Sequence, residues 1–178
     1  MIRRSRKNDQ KHIHALIRTE LIPFSQKTFP DVKYNKREIN KRLERGYTYV
    51  YARTPNAPPQ GFIHSVILDN THIVDMLAVN KNARKRGIGS KLMNRSLSLA
   101  LKNKCSKSHL YVDAVNYKAQ QFYYKQGYQI EKYEPLVNCY LLSKKLVKAK
   151  LCEQLNRIFI CSKKSNLFLR CEHILKSD

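Results

Sequence analysis

The chain has 178 residues, 42% of them hydrophobic, and its 35 Lys and Arg against 13 Asp and Glu give a formal charge of +22. That length fits one domain of ordinary size, and the composition supplies enough apolar material for a core, which excludes a chain too polar to fold. The charge points to an anionic partner (phosphate, nucleic acid or an acidic surface), with solubility as its plainer use.

Five cysteines without a CxxC pair argue against a disulfide framework. Cys152, Cys161, Cys171 and His173 are too irregularly spaced for zinc, and no metal is expected. No apolar run approaches the ~18 residues that a membrane span needs. The basic start, Met1 to Lys7, is not followed by the apolar stretch of a signal peptide, so a soluble cytoplasmic protein is expected.

In chain order, Ile2 to Ser5 suits a short strand. Residues 9–22 are predicted helical, with Ile13, Leu16, Ile17 and Leu21 on one face, Asp9 as N-cap and Pro23 as the stop. Lys36 to Arg45 suits a second helix that ends at Gly46. At Tyr47 the period changes to two: Tyr47, Tyr49 and Tyr51 alternate with Thr48 and Val50. The proline-rich run 54–59 is a loop. Gly61 to Leu68 and Thr71 to Val79 are strands joined by a turn at Asp69-Asn70, completing an antiparallel meander.

A helix is predicted from Gly87, with Ile88, Leu92, Ser96 and Leu99 on one stripe and Met93 and Ala100 beside it. Leu110 to Val115 is a strand, Tyr117 to Gln126 a helix ended by Gly127, and Tyr128 to Glu131 and Val137 to Leu142 a final strand pair. The resulting order is β-α-α-β-β-β-α-β-α-β-β. It describes a mixed α/β domain over residues 1–146, with helix 87–103 crossing between two strands. Residues 147–178 follow as an appended segment. Its apolar positions, Leu151, Leu155, Ile158 and Phe159, suit one more helix, and no function attaches to it.

Charge marks one segment. Residues 47–80 carry only Arg53 against Asp69 and Asp75, whereas residues 81–128 carry eleven Lys and Arg and one acid, Asp113. Within the basic block, Arg84-Lys85-Arg86-Gly87-Ile88-Gly89-Ser90 joins a strand to a helix. Free N–H groups at a helix start, the helix dipole and glycines that admit close approach form an anion site suited to a pyrophosphate. The loop lacks the Gly-Lys-Ser/Thr ending of a Walker loop and the third glycine of a dinucleotide fingerprint. A basic linker that merely opens a helix is the alternative.

Leu77-Ala78-Val79 followed by Arg84-x-x-Gly87-x-Gly89 resembles the cofactor signature of the GNAT superfamily of acyl-CoA-dependent N-acetyltransferases. Asn116-x-x-Ala119-x-x-Phe122-Tyr123-x-x-x-Gly127-Tyr128 resembles its downstream helix motif. The likeness covers roughly residues 1–146. It implies a mostly antiparallel sheet of about six or seven strands flanked by about four helices. It also implies acetyl transfer from acetyl-CoA to a primary amine by direct attack on the thioester.

On this resemblance, Leu77-Ala78-Val79 meets the acyl-pantetheine end of coenzyme A through the amides of Leu77 and Val79. The amides of Lys85 to Ser90, among them Gly87, Ile88 and Gly89, hold the pyrophosphate, and Arg84, Lys85 and Arg86 add charge. Asn116 either contacts the pantetheine arm or caps its helix. Tyr123 protonates the departing thiolate, or is packed under the helix, with Tyr124 the neighbour most easily mistaken for it. Asp75 stands two residues before Leu77, on the same face by period-two alternation. It accepts the amine proton directly or through water, binds an ammonium, or is a structural carboxylate. Residues 23–46 and 131–138 are where the acceptor is expected; Glu131 and Glu134 either meet a cationic amine or, more plainly, are solvated surface charge. The other function compatible with the charge is a nucleic-acid- or ribosome-associated protein on an acyltransferase scaffold, without activity of its own.

Overall fold

The change of period at Tyr47 is realised as a strand, and the rest of the sheet follows from it. In the computed structural model, which describes residues 1–146, seven strands form one sheet in the order β1-β2-β3-β4-β5-β7-β6. The strands are β1 (Ile2–Arg4), β2 (Tyr47–Tyr51), β3 (Gly61–Leu68), β4 (Thr71–Val79), β5 (Lys107–Asp113), β6 (Gln129–Glu134) and β7 (Cys139–Lys145). All neighbours are antiparallel except β4 and β5, which run parallel because the helix between them returns the chain to the same end. The helix expected within 147–178 and the cysteines considered for zinc lie outside the described residues.

Five α-helical segments cover the two faces: α1 (Gln10–Leu16), α2 (Ile22–Thr28), α3 (Lys36–Glu44), α4 (Ile88–Lys102) and α5 (Tyr117–Lys125). On one face Ile88, Leu92 and Met93 of α4 and Tyr123 of α5 pack on Tyr49, Ile63, Val74, Leu110 and Leu142. On the other, Ile13, Leu16, Ile17 and Ile39 pack on Val50, Phe62, Met76 and Ala78. Removing one such buried side chain to alanine costs about 2–5 kcal/mol.

A chain of buried polar groups pins α4 to the sheet. His72 of β4 lies 2.8 Å from the Ser96 hydroxyl through Nε2 and 2.7 Å from that of Ser108 through Nδ1. Ser96 continues to Ser65, and Ser108 to the Tyr128 hydroxyl. These partners make burial of the groups tolerable.

Two expectations change near the N-terminus. Pro23 does not stop the first helix. A π-helical turn, Ile17–Leu21, intervenes, and Pro23 sits in the first turn of α2, where its missing N–H has no partner to lose. Asp9 occupies the N-cap position of α1 without capping it. Its carboxylate turns back to accept from the Arg6 amide and to pair with Arg3, which holds it below the usual carboxylate range. The strands after α5 are also longer than expected, reaching Glu134 and Lys145.

Candidate active site

The site begins where the sheet comes apart. β4 and β5 pair only over Thr71–Val74 and Lys107–Leu110, although both strands run on, β4 to Val79 and β5 to Asp113. The cause lies on the other edge of β4. His64 of β3 pairs with Met76 and Ser65 with Val74, so Asp75 is an extra residue without a partner. Such a bulge bends its strand and changes its twist. Past it, β4 leaves β5 and a notch opens.

The bulge also resets which side chains face which way. Val74 belongs to the core under α4, whereas Met76 and Ala78 belong to the core under α1 and α3, and Leu77 and Val79 pack on the α4 side. Asp75 pairs with Arg42 of α3. The expectation that Asp75 shares a face with Leu77 is therefore corrected: the bulge cancels the alternation between them, and Asp75 faces α3.

Backbone alternation then assigns the edge of the notch. The Asn80 amide donates to the Gln60 carbonyl at 2.9 Å, so Ala78 also faces β3, and Leu77 and Val79 turn their backbone groups toward the notch. The Val79 carbonyl there accepts from Arg84 Nε at 3.1 Å, and the N–H groups of Leu77 and Val79 are left for a ligand.

At the far end of the notch stands the N-terminus of α4. Gly87 is the N-cap, in the left-handed region at φ 71°, and no side chain caps the helix. The first helical bond is from Lys91 to the Gly87 carbonyl, so the amides of Ile88, Gly89 and Ser90 precede the ladder and point out of it. Among the described residues a Cβ built on Gly87 meets nothing within 4 Å: the space before these amides is open. One built on Gly89 would lie 3.2 Å from the Phe122 ring, so that glycine serves close packing of α4 on α5. An uncapped helix start facing open space, with Lys85 on the wall, suits the pyrophosphate of coenzyme A.

Notch and helix start belong to one cavity of about 930 Å³. The structure brings together in its wall Asp75, Leu77, Ala78, Val79, Arg84, Lys85, Gly87, Ile88, Gly89, Ser90, Asn116 and Tyr123, and it leaves Arg86 out. Arg84 has a second partner besides Val79. Its guanidinium pairs with Glu20, a buried carboxylate that also accepts from the Lys81 amide at 3.2 Å. Arg84 thus fastens the loop to the π-turn instead of standing free for phosphate. Asn116 is the N-cap of α5, its side chain accepting from the Ala119 amide at 3.2 Å. Ser90 Oγ accepts from Gln126.

The two tyrosines separate clearly. Tyr123 is 9% exposed and lines the cavity, while Tyr124 is 40% exposed and lies outside its wall. Burial and the nearby Tyr128 raise the Tyr123 phenol above the ordinary tyrosine range. Cys139 bonds to the Val137 carbonyl, and burial pushes its thiol up to about 11, so it holds its proton at neutral pH. Glu131 faces His109, and Glu134 faces Lys132; both acids lie outside the cavity wall.

Sequence reasoning missed three residues of the site. Glu20 and Arg42 read as unremarkable helix charges. His64, fully buried beneath Asp75, comes into line with it only through the bulge, which needs both strands to be seen. A hint for Glu20 was an acid on an otherwise apolar helix face.

The acetyltransferase (GNAT) family model matches residues 12–128, and the chain belongs to that family of N-acyltransferases. No curated protein matches the chain. Its fold is similar to that of Ard1 from Thermoplasma volcanium, at 22% identity and a TM-score of 0.67 over 83% of this chain and 98% of that one. It is equally similar to the PaiA N-acetyltransferase of Thermoplasma acidophilum in complex with coenzyme A, at 18% identity and TM-score 0.68 over 82% and 98%. The ribosomal-protein-S18-alanine N-acetyltransferase of Escherichia coli aligns at 13% identity and TM-score 0.64 over 83% and 94%. Among the described residues no helix is long and apolar enough to cross a membrane.

Proposed function

We propose that this chain transfers the acetyl group of acetyl-CoA to a primary amine by direct attack on the thioester. The observation that carries the reading is the notch between β4 and β5, edged by the free amides of Leu77 and Val79 and ending at the uncapped start of α4. Acetyl-CoA supplies an activated acyl carbon and a leaving thiolate. The chain's own residues do the rest. The α4 amides and Lys85 hold the diphosphate, and the β4 edge orients the pantetheine arm beside Tyr123. Asp75 takes the proton of the acceptor ammonium, Tyr123 gives its phenol proton to the thiolate, and the second proton lost by the acylated nitrogen restores the phenol. The soluble domain of residues 1–146 carries this chemistry.

The acceptor end supports one further reading. Lys36, Arg37, Lys41 and Arg45 are exposed on or beside α3, whose inner side meets the cavity. This favours an amine presented on an anionic partner such as RNA or a ribonucleoprotein. Calorimetry with acetyl-CoA and with a short RNA tests both readings, followed by a turnover screen over polyamines, aminoglycosides, amino acids and peptide N-termini. No heat with acetyl-CoA at millimolar concentration removes the enzyme reading, and no heat with RNA removes the partner.

A further inference from the structure

Beneath Asp75 lies a histidine that the chemistry above does not use. His64 is fully buried on β3, and its Nε2 has no hydrogen-bond partner among the described residues. A buried polar atom left unpaired is costly and calls for an explanation, a catalytic role among them. The orphaned Nε2 is aimed at Asp75, 3.9 Å from Oδ2. The other ring nitrogen, Nδ1, is held 2.9 Å from the Thr48 hydroxyl, which fixes the ring plane.

Two further features keep the ring where it is. Gly46, in the turn between α3 and β2, lies against it, and a Cβ there would come within 2.9 Å of Cε1. The bulge at Asp75 is the second. There His64 pairs with Met76 and Ser65 with Val74, which leaves Asp75 unpaired next to the partner of His64. The charged groups that face the ring are Asp75 from β4 and Arg42 from α3; β2 presents only the neutral Thr48. Burial lowers the imidazole below its ordinary range; Asp75 and, less strongly, the Arg42 backbone carbonyl oppose that effect, and the Arg42 charge adds to it. The ring is therefore neutral at pH 7 and able to accept a proton. Arg42, 52% exposed, is the group an arriving ammonium displaces from Asp75.

We infer that His64 is a positioning residue that works through Asp75, taking at Nε2 the proton that Asp75 removes from the acceptor ammonium; this rests on the acyl-transfer reading. An N–H bond of the ammonium breaks as an O–H bond forms on Asp75. That O–H breaks as an N–H bond forms at His64 Nε2. The amine is left with its lone pair, Asp75 returns to the carboxylate, and the positive charge rests on an imidazolium beside it. The carboxylate must swing toward the ring by about 1 Å to bring the two atoms within hydrogen-bond distance. The proton returns to water through Asp75 once product leaves.

The coupling is read without an acceptor. Long-range imidazole ¹H–¹⁵N spectra of the full chain are recorded across pH, with the His64 signals assigned by their loss in His64→Gln. In Asp75→Asn the proton affinity of His64 falls about tenfold or more, and in Arg42→Met it rises, while His72 is unchanged in both. A His64 titration that responds to neither substitution overturns the proposal; Arg42→Met, at an exposed position, supplies that answer even where Asp75→Asn does not fold. With an amine that turns over, His64→Gln lowers kcat about tenfold or more and abolishes the acidic limb of its pH profile, with KM for acetyl-CoA unchanged. A wild-type pH profile in that variant overturns the relay. Absence of acetyl-CoA binding would remove the acyl-transfer reading and leave the His64–Asp75 coupling to be decided by the spectra alone.

Discussion

Tyr123 keeps its proton because it is buried: its phenol is raised out of the ordinary range and, among the described residues, its hydroxyl has no hydrogen-bond partner. The hydroxyl can therefore be removed without breaking a contact of the fold. Tyr123→Phe is expected to lower kcat about 10²-fold or more while the Kd for acetyl-CoA stays unchanged. Steady-state kinetics beside calorimetry checks both halves, and an unchanged kcat refutes the acid role. Tyr123 was singled out over its neighbour by the resemblance to the family's downstream helix motif, whose spacing to Gly127 it keeps; the structure puts Tyr123 in the cavity wall and Tyr124 outside it. Asp75 was legible as a candidate and not as a geometry. Its face depends on one unpaired residue in β4, and such a residue is defined only against the partner strand. For the same reason nothing in the sequence linked His64 to it.

At the scale of elements, the start of α4 carries the most testable geometry. Gly87 combines a left-handed backbone with open space before three unpaired amides. Gly87→Glu places a carboxylate in that space and a side chain on a φ that disfavours it by about 1–2 kcal/mol. Coenzyme A binding is expected to vanish while the chain still melts cooperatively. A variant that binds coenzyme A normally would move the phosphate site off this loop. The order of strands and helices was legible because each run carried its own period and its own stop: Gly46 after α3, Asp69-Asn70 between β3 and β4, Gly127 after α5. The failure at Pro23 has a physical source. Proline breaks a helix interior and is welcome in a first turn, and the π-turn before it makes its position a first turn. The tie between Glu20 and Arg84 was not legible, since it joins positions 64 apart in the sequence.

For the molecule as a whole, the buried histidines contribute to the response to acid. His72 sits between Ser96 and Ser108, and burial pushes it down to about 4, against 6.5 for the free side chain. The unfolded chain therefore takes up a proton that the folded chain refuses. Stability is full above pH 6.5 and is lost as pH falls toward about 4, with a slope of up to about 1.4 kcal/mol per pH unit. His64, also lowered by burial, acts in the same direction. Urea midpoints at pH 7 and pH 5 check this: the midpoint is expected to fall in the wild type and to fall less in His72→Asn. A wild-type midpoint that does not move contradicts it. The short seam between β4 and β5 has a further consequence at this scale. Among the described residues, strand pairing joins the two halves of the sheet through four residue pairs. Whatever fills the notch works as mortar between two slabs of wall. On the proposed function, the melting temperature is expected to rise with the concentration of free acetyl-CoA, by the mass-action rule that binding to the folded state stabilises it. On that reading the protein is expected to be sturdiest where its donor is plentiful and to lose this reinforcement of the seam where the donor is scarce.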